Sequence, residues 1–103
     1  MHEDKTMMEI VYKQAENIVS RDIMGETLLV PVAGELASMD NIYTLNDAGR
    51  FIWNSIDGAT SLATIKELLA QRYSEILPND LEDDLLDLIR ELEQNRLIEQ
   101  FIA

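Results

Sequence analysis

The pattern of apolar positions along the chain changes at Asn46, from short β-branched runs to helical spacing. The runs Ile18–Met24 and Glu26–Val32 are rich in β-branched and apolar residues, and Gly25 separates them. Two such runs around a glycine predict the strands of a hairpin. Ile42–Leu45 is a third run of this kind. The first half of the chain therefore predicts a three-stranded antiparallel sheet.

The first predicted helix follows the third strand directly and spans Asp47–Asp57. Asn46 can cap it, because its side-chain oxygen can accept from free N–H groups of the first turn. Gly58 is expected to end it in a left-handed conformation. Gly49 is unusual there, since a glycine inside a helix costs about 1 kcal/mol relative to alanine. We expect another backbone segment to pack closely against it.

Two more helices are predicted in the second half. One runs from about Leu62 to Tyr73, and the short connection Gly58–Ser61 before it permits a helix-turn-helix. The other is the longest, with Asn79 as its cap and Asn95 as a left-handed stop. Its leucines form one stripe: Leu81, Leu85, Leu88 and Leu92. The order of elements predicts an α+β, winged-helix-like fold, three strands followed by three helices.

The two ends of the chain give weaker patterns. Residues 1–16 are compatible with a short amphipathic helix, an ordered arm or a disordered terminus. We treat them as an N-terminal arm preceding a single domain, residues 17–103. Leu97 and Ile98 begin an apolar tail that is compatible with a short strand.

Composition excludes several classes of function. The chain has 103 residues with a net charge of −12, which would repel nucleic acid and anionic membranes. It has no cysteine, and its one histidine, His2, is at the terminus, so thiol, zinc-thiolate and Ser–His chemistry are excluded. We expect no cofactor and no catalytic residue. There is no secretory signal and no apolar run of transmembrane length, which predicts a cytoplasmic protein.

A set of ordered residues resembles the PqqD-like family. The set begins with the stretch Tyr43–Gly49 and continues at Trp53, Ile56, Asp57, Gly58, Ser61, Ile65, Leu68, Tyr73, Asp84, Leu88, Leu92, Leu97 and Ile98. The resemblance covers about Ile18 to Ile98. It implies a small module that presents the leader of a ribosomally made precursor peptide to a separate maturation enzyme, often a radical SAM enzyme. The Ala33–Asp40 connection is longer than in coenzyme-PQQ members, so we do not assign the PQQ pathway.

The resemblance also implies a peptide groove between the third strand and the third helix. The residues agree, because the third strand carries neither charge nor proline and could pair with an extended peptide. On the helix, Asp84 could meet a basic side chain of the peptide. The predicted peptide-binding residues are Asn41, Ile42, Tyr43, Thr44, Leu45, Leu81, Asp84, Leu85 and Leu88.

Three alternatives remain open at this point. The third strand could be fully paired within the sheet or within a dimer. The fold also permits a winged-helix transcription regulator, or an adaptor that binds a protein through its acidic third helix. The carboxylates at the start of that helix are most simply a solvated face near the positive end of the helix dipole.

Overall fold

The computed structural model describes residues 8–32 and 42–101, which form an α+β domain. The elements in chain order are β1 (Val11–Gln14), β2 (Ile18–Ile23), β3 (Glu26–Pro31), β4 (Tyr43–Leu45), α1 (Asp47–Ser55), β5 (Asp57–Ser61), α2 (Leu62–Arg72), α3 (Pro78–Gln94) and β6 (Ile98–Gln100). The strands form two sheets. Sheet A has the order β5-β1-β6 and sheet B has the order β2-β3-β4.

Sheet B is the predicted antiparallel sheet, and its prediction is confirmed. Met24 and Gly25 form the two-residue turn between β2 and β3, with φ of 52° and 86°. Positive φ at both positions gives the mirror-image turn that matches the right-handed twist of the strands. Met24 therefore belongs to the turn, whereas we had predicted it to be the last residue of the strand. β3 likewise ends at Pro31, one residue before the predicted end.

Sheet A was not predicted. Its central strand, β1, lies in the segment that we had interpreted as an N-terminal arm, and this interpretation is wrong for Val11–Gln14. The strand pairs with β5 on one side and with β6 on the other. Tyr12 anchors it in the core and is only 2% exposed. The predicted C-terminal strand is present as β6, and residues 1–7 lie outside the described part of the chain.

β5 occupies the connection that we had predicted between two consecutive helices. α1 ends at Ser55, two residues before the predicted end, and the chain then pairs with β1. Gly58 has the expected positive φ of 80°, but it lies within β5, where the register with β1 shifts. It therefore accommodates a strand irregularity and does not end a helix. Ser61 caps α2, because its hydroxyl accepts from the Thr64 amide.

α3 is the longest of the described helices, as predicted, but both of its ends differ from the prediction. Pro78 stands in the first turn after Leu77, and Asn79 is not the cap. Proline suits this position because its missing N–H has no partner in a first turn. At the other end Arg96, not Asn95, takes the left-handed conformation, with φ of 61°. The amide of Leu97 then donates to the carbonyl of Leu92 and closes the helix.

The core lies between α1, α2 and α3 and the inner faces of the two sheets. The predicted stripe of α3 is confirmed for Leu81, Leu85 and Leu92, which are buried, while Leu88 packs against the core from a half-buried position. Tyr12, Leu29, Ile65 and Ile89 are among the other buried members. The domain thus places α3 across the core, with one side facing β4.

Candidate functional site

β4 is an edge strand of sheet B. Within the described residues it pairs with β3 on one side and with no strand on the other. Its three residues, Tyr43–Leu45, carry neither charge nor proline. An edge strand of this kind offers unpaired backbone groups to another extended chain.

The register of the hairpin shows which backbone groups of sheet B bond in which direction. A two-residue turn is flanked by a hydrogen-bonded pair, here Ile23 and Glu26, and bonded pairs alternate with non-bonded pairs from there. The amide of Val32 donates to the carbonyl of Asn17 at 2.9 Å, which fits this alternation. The backbone groups of Glu26, Leu28 and Val30 therefore bond to β2. The backbone groups of the residues between them point toward β4.

This alternation leaves the backbone of Thr44 free. Thr27 and Leu29 are the β3 residues that face β4, and their partners are Leu45 and Tyr43. The N–H and C=O of one strand residue point to the same side in an antiparallel sheet. Thr44, which lies between the two bonded residues, therefore directs its N–H and C=O away from β3, toward the open edge.

A cleft of about 380 Å³ lies along this edge. Its lining comes from β4, the start of α1 and one face of α3: Tyr43, Thr44, Leu45, Asn46, Ala48, Gly49, Ile52, Asp84 and Leu88. The cleft is thus bounded by a strand with free backbone groups on one side and by a helix on the other. This arrangement can hold an extended peptide.

The turn from β4 into α1 forms the floor of the cleft. Asn46 caps α1 as predicted, because its side-chain oxygen accepts from the Gly49 amide at 2.8 Å. A Cβ on Gly49 would lie 3.1 Å from Cδ2 and 3.2 Å from Cβ of Leu45. Our expectation of a backbone segment against Gly49 is therefore wrong, since side chains approach it. Glycine lets the Leu45 side chain lie directly on the first turn of α1.

Asp84 and Leu88 form the helical wall of the cleft. They are four residues apart, so they lie on the same face of α3, one turn from each other. Asp84 is exposed, and within the described residues no hydrogen bond or ion pair involves it. Two nearby carboxylates do have partners, because Glu82 pairs with Lys66 and Asp87 pairs with Arg90.

Tyr43 connects the two sides of the cleft. Its hydroxyl donates to Oε1 of Glu91 on α3 at 2.5 Å. Burial, together with the hydrogen bond to the Glu91 carboxylate and its negative charge, raises the pKa of Tyr43 to about 12. Tyr43 therefore remains a neutral donor, and the bond fixes the distance between β4 and α3 at this end.

The Tyr43–Glu91 bond predicts a loss of stability in alkali. The pKa of the folded state, about 12, lies above the ordinary value of 10.0, so the folded protein retains this proton over a pH range in which the unfolded chain loses it. The stabilisation is complete below pH 10 and is lost as the pH rises toward 12. Urea unfolding between these pH values should show a smaller loss for Tyr43→Phe than for the natural protein. In a tyrosine NMR titration, Glu91→Gln should lower the pKa of Tyr43, and an unchanged pKa would contradict this account.

The structure brings together five of the nine predicted peptide-binding residues. Tyr43, Thr44, Leu45, Asp84 and Leu88 all line the cleft. Ile42 is half-buried beside it, and Asn41 lies outside the described residues. Leu81 and Leu85 are buried behind the wall and do not line the cleft.

Four lining residues were missing from the predicted site: Asn46, Ala48, Gly49 and Ile52. The sequence did mark one of them, because Gly49 breaks the helical pattern at the point where the floor lies. Ala48 and Ile52 belong to the apolar face of α1. In the fold this face also reaches the open side of β4.

The described residues contain no cluster of His, Cys, Asp and Glu that could bind a metal ion. No helix in the described ranges is both long enough and apolar enough to span a membrane. What the cleft presents to a ligand is the free backbone of Thr44, an apolar floor and the carboxylate of Asp84.

Comparison with known proteins then gives the family. Residues 26–98 match the family described as coenzyme PQQ synthesis protein D (PqqD), which is most of the chain and includes β4, α1 and α3. The chain belongs to the PqqD family. The family resemblance predicted from the sequence is thus confirmed.

A solved structure shares the fold of this PqqD-family chain. It is described as TbiB1 in complex with the TbiA(beta) leader peptide, and the two chains are 23% identical. The match covers 88% of this chain and 99% of TbiB1, with a TM-score of 0.71. At this identity the likeness concerns the fold, and it agrees with the predicted α+β class. Among the curated proteins, none matches this chain.

Proposed function

We propose that this chain is a non-enzymatic, cytoplasmic module that binds the leader of a ribosomally made precursor peptide. The leader binds as an additional antiparallel strand on β4, and the module presents it to a separate modifying enzyme of the radical SAM type. The free backbone edge at Thr44, which lies along the cleft, is the observation on which this proposal rests.

The geometry of the edge supports an extended ligand. A peptide residue opposite Thr44 would exchange two backbone hydrogen bonds with it. Each such bond contributes only about 0.5–1.5 kcal/mol, because water competes for both partners. A three-residue strand therefore supplies part of the affinity, and peptide side chains in the cleft must supply the rest.

The comparisons support a peptide leader as the ligand. Membership of the PqqD family favours a role beside a biosynthetic enzyme, and TbiB1, which shares the fold, is described with a leader peptide bound. A module of this type leaves the chemistry to its partner. The sequence agrees, since it has no cysteine and its one histidine is at the terminus.

The proposal can be tested by capturing the peptide on the protein and then mapping its binding site by NMR. Immobilised protein should retain a peptide from an extract of the native cells, and mass spectrometry should identify it as part of a genomically encoded precursor. Titration of that peptide should then shift the amide resonances of Ile42–Leu45 and of Asp84 and Leu88. If the shifted amides cluster on α2 or sheet A instead, the proposed site is wrong even though a peptide binds.

The same fold could place α2 in a DNA groove, and here we predict no specific DNA binding. Lys66 of α2 is paired with Glu82 at 2.7 Å. Arg72 contacts Asp47 and lies 5.1 Å above the Phe51 ring. The cations of a recognition helix must be available for phosphates and base edges, and these two already have partners. Gel-shift titrations should show no sequence-selective complex at physiological salt, and a salt-sensitive, selective complex would support a regulator instead.

A further inference from the structure

The geometry points to a preference of the cleft for peptides with a particular three-residue pattern. From the N-terminal to the C-terminal side, the pattern is a basic residue, any residue and an apolar residue. This inference rests on the proposed function and names the class of peptide that the site would select.

The alternation of side chains sets the spacing. Directly paired residues of an antiparallel sheet place their side chains on the same face. Thr44 is exposed, whereas Leu45 is buried and Tyr43 is half-buried. A peptide residue opposite Thr44 would therefore point to solvent, and the residues before and after it would point into the cleft. The two cleft-facing residues are separated by one residue.

The helical wall has a matching spacing. Asp84 and Leu88 are separated by four residues of α3, which is a rise of about 6 Å. Two residues of an extended peptide cover about 6.6 Å. Two neighbouring cleft-facing side chains of the peptide can therefore meet Asp84 and Leu88 respectively.

The Tyr43–Glu91 bond fixes the order of the two positions. It places the C-terminal part of α3 beside the start of β4, while Asp84 and Leu88, which precede Glu91 on α3, line the cleft along the rest of β4. These two observations together orient α3 and β4 in opposite directions along the cleft. A peptide antiparallel to β4 then runs in the same direction as α3. Its earlier cleft-facing residue meets Asp84, and its later one meets Leu88.

The charge of Asp84 and the apolar character of Leu88 predict the type of each of the two cleft-facing peptide residues. Asp84 has no partner among the described residues, so its carboxylate can pair with a lysine or arginine of the peptide. Leu88 is an apolar side chain of a cleft that Ala48 and Ile52 also line, so an apolar side chain of the peptide suits its position. The net charge of −12 adds a general attraction for basic peptides, which an experiment must separate from the local effect.

The experiment is a selection from a displayed library of random peptides against three proteins: the natural chain, Asp84→Lys and Asp83→Lys. Asp83 is the matched control, since it is exposed on the same helix but does not line the cleft, and its substitution changes net charge equally. Both substitutions are at exposed positions, so folding should be retained. Selected peptides are then mapped by their shifts of the Ile42–Leu45 amides.

Peptides selected by the natural chain and by Asp83→Lys should be enriched in lysine or arginine two positions before an apolar residue. Asp84→Lys should select acidic residues at that position. Changing the basic residue of a selected peptide to glutamate should weaken its binding to the natural chain about tenfold at low salt. Peptides that shift Ile42–Leu45 without this preference, or an equal change of preference in Asp83→Lys, would overturn the inference and leave the proposed function intact. Selected peptides that leave those amides unshifted would overturn the proposed function itself.

Discussion

Thr44→Pro should weaken binding of the captured peptide by roughly 5- to 150-fold. The substitution removes the N–H that faces the open edge and leaves a carbonyl of the peptide without its donor. Such a loss costs about 1–3 kcal/mol, and each 1.4 kcal/mol changes affinity tenfold. Isothermal titration of the natural protein and the variant against the same peptide measures the effect.

Two control variants, one at Thr44 itself and one at Leu45, make the result specific. Thr44→Val keeps the N–H and should bind almost as well as the natural protein. Thr44→Pro should remain folded, because this N–H does not bond to β3 and residues before proline favour the extended conformation that Tyr43 already has. Leu45→Pro, in contrast, removes an N–H that bonds to β3 and should lower the free energy of unfolding. Unchanged affinity in a folded Thr44→Pro protein would show that the peptide does not pair with β4.

Leu85→Ala should reduce the free energy of unfolding by about 2–5 kcal/mol, the usual cost of removing a fully buried leucine side chain. Leu85 is 0% exposed and packs in the core behind the cleft. In urea titrations the midpoint should fall strongly. Peptide affinity, measured under conditions where the variant is folded, should change little.

Leu88→Ala is the matched comparison, since it is the same substitution three residues, or about one turn, further along α3. Leu88 is half-buried and lines the cleft. This variant should lose less stability than Leu85→Ala and more affinity for the peptide. If both variants showed the same loss of stability and the same affinity, the division of α3 into a core side and a cleft side would be wrong.

That division marks the limit of what the sequence could predict for the site. The leucine spacing of α3 predicted one apolar stripe, which is correct, but Leu85 and Leu88 both belong to it. Which of them borders the cleft depends on how far the edge strand stands from the helix. The Tyr43–Glu91 contact, which sets this distance, joins residues 48 positions apart and leaves no local pattern.

The same reasoning explains which parts of the fold could be predicted. Sheet B and the cap at Asn46 follow from neighbouring residues, namely a two-residue turn and a side chain that bonds within its own turn. Sheet A joins three short strands from the beginning, middle and end of the chain. Each strand has few residues to form a pattern, and β5 contains Gly58, which disfavours a strand locally. Its pairing depends on tertiary contacts, so it could not be predicted from any one stretch.

The pairing of β1 with β6 has a consequence for how this domain could be joined to other proteins. The amide of Phe101, just after β6, donates to the carbonyl of Val11, the first residue of β1, at 2.8 Å. The chain therefore enters and leaves the fold at adjacent points. Domains with adjacent ends tolerate insertion into a surface loop of a host protein, and circular permutation, because the junction need not stretch. Within the described part of the chain, no residue of sheet A lines the cleft, so a junction at sheet A would use none of the cleft-lining residues.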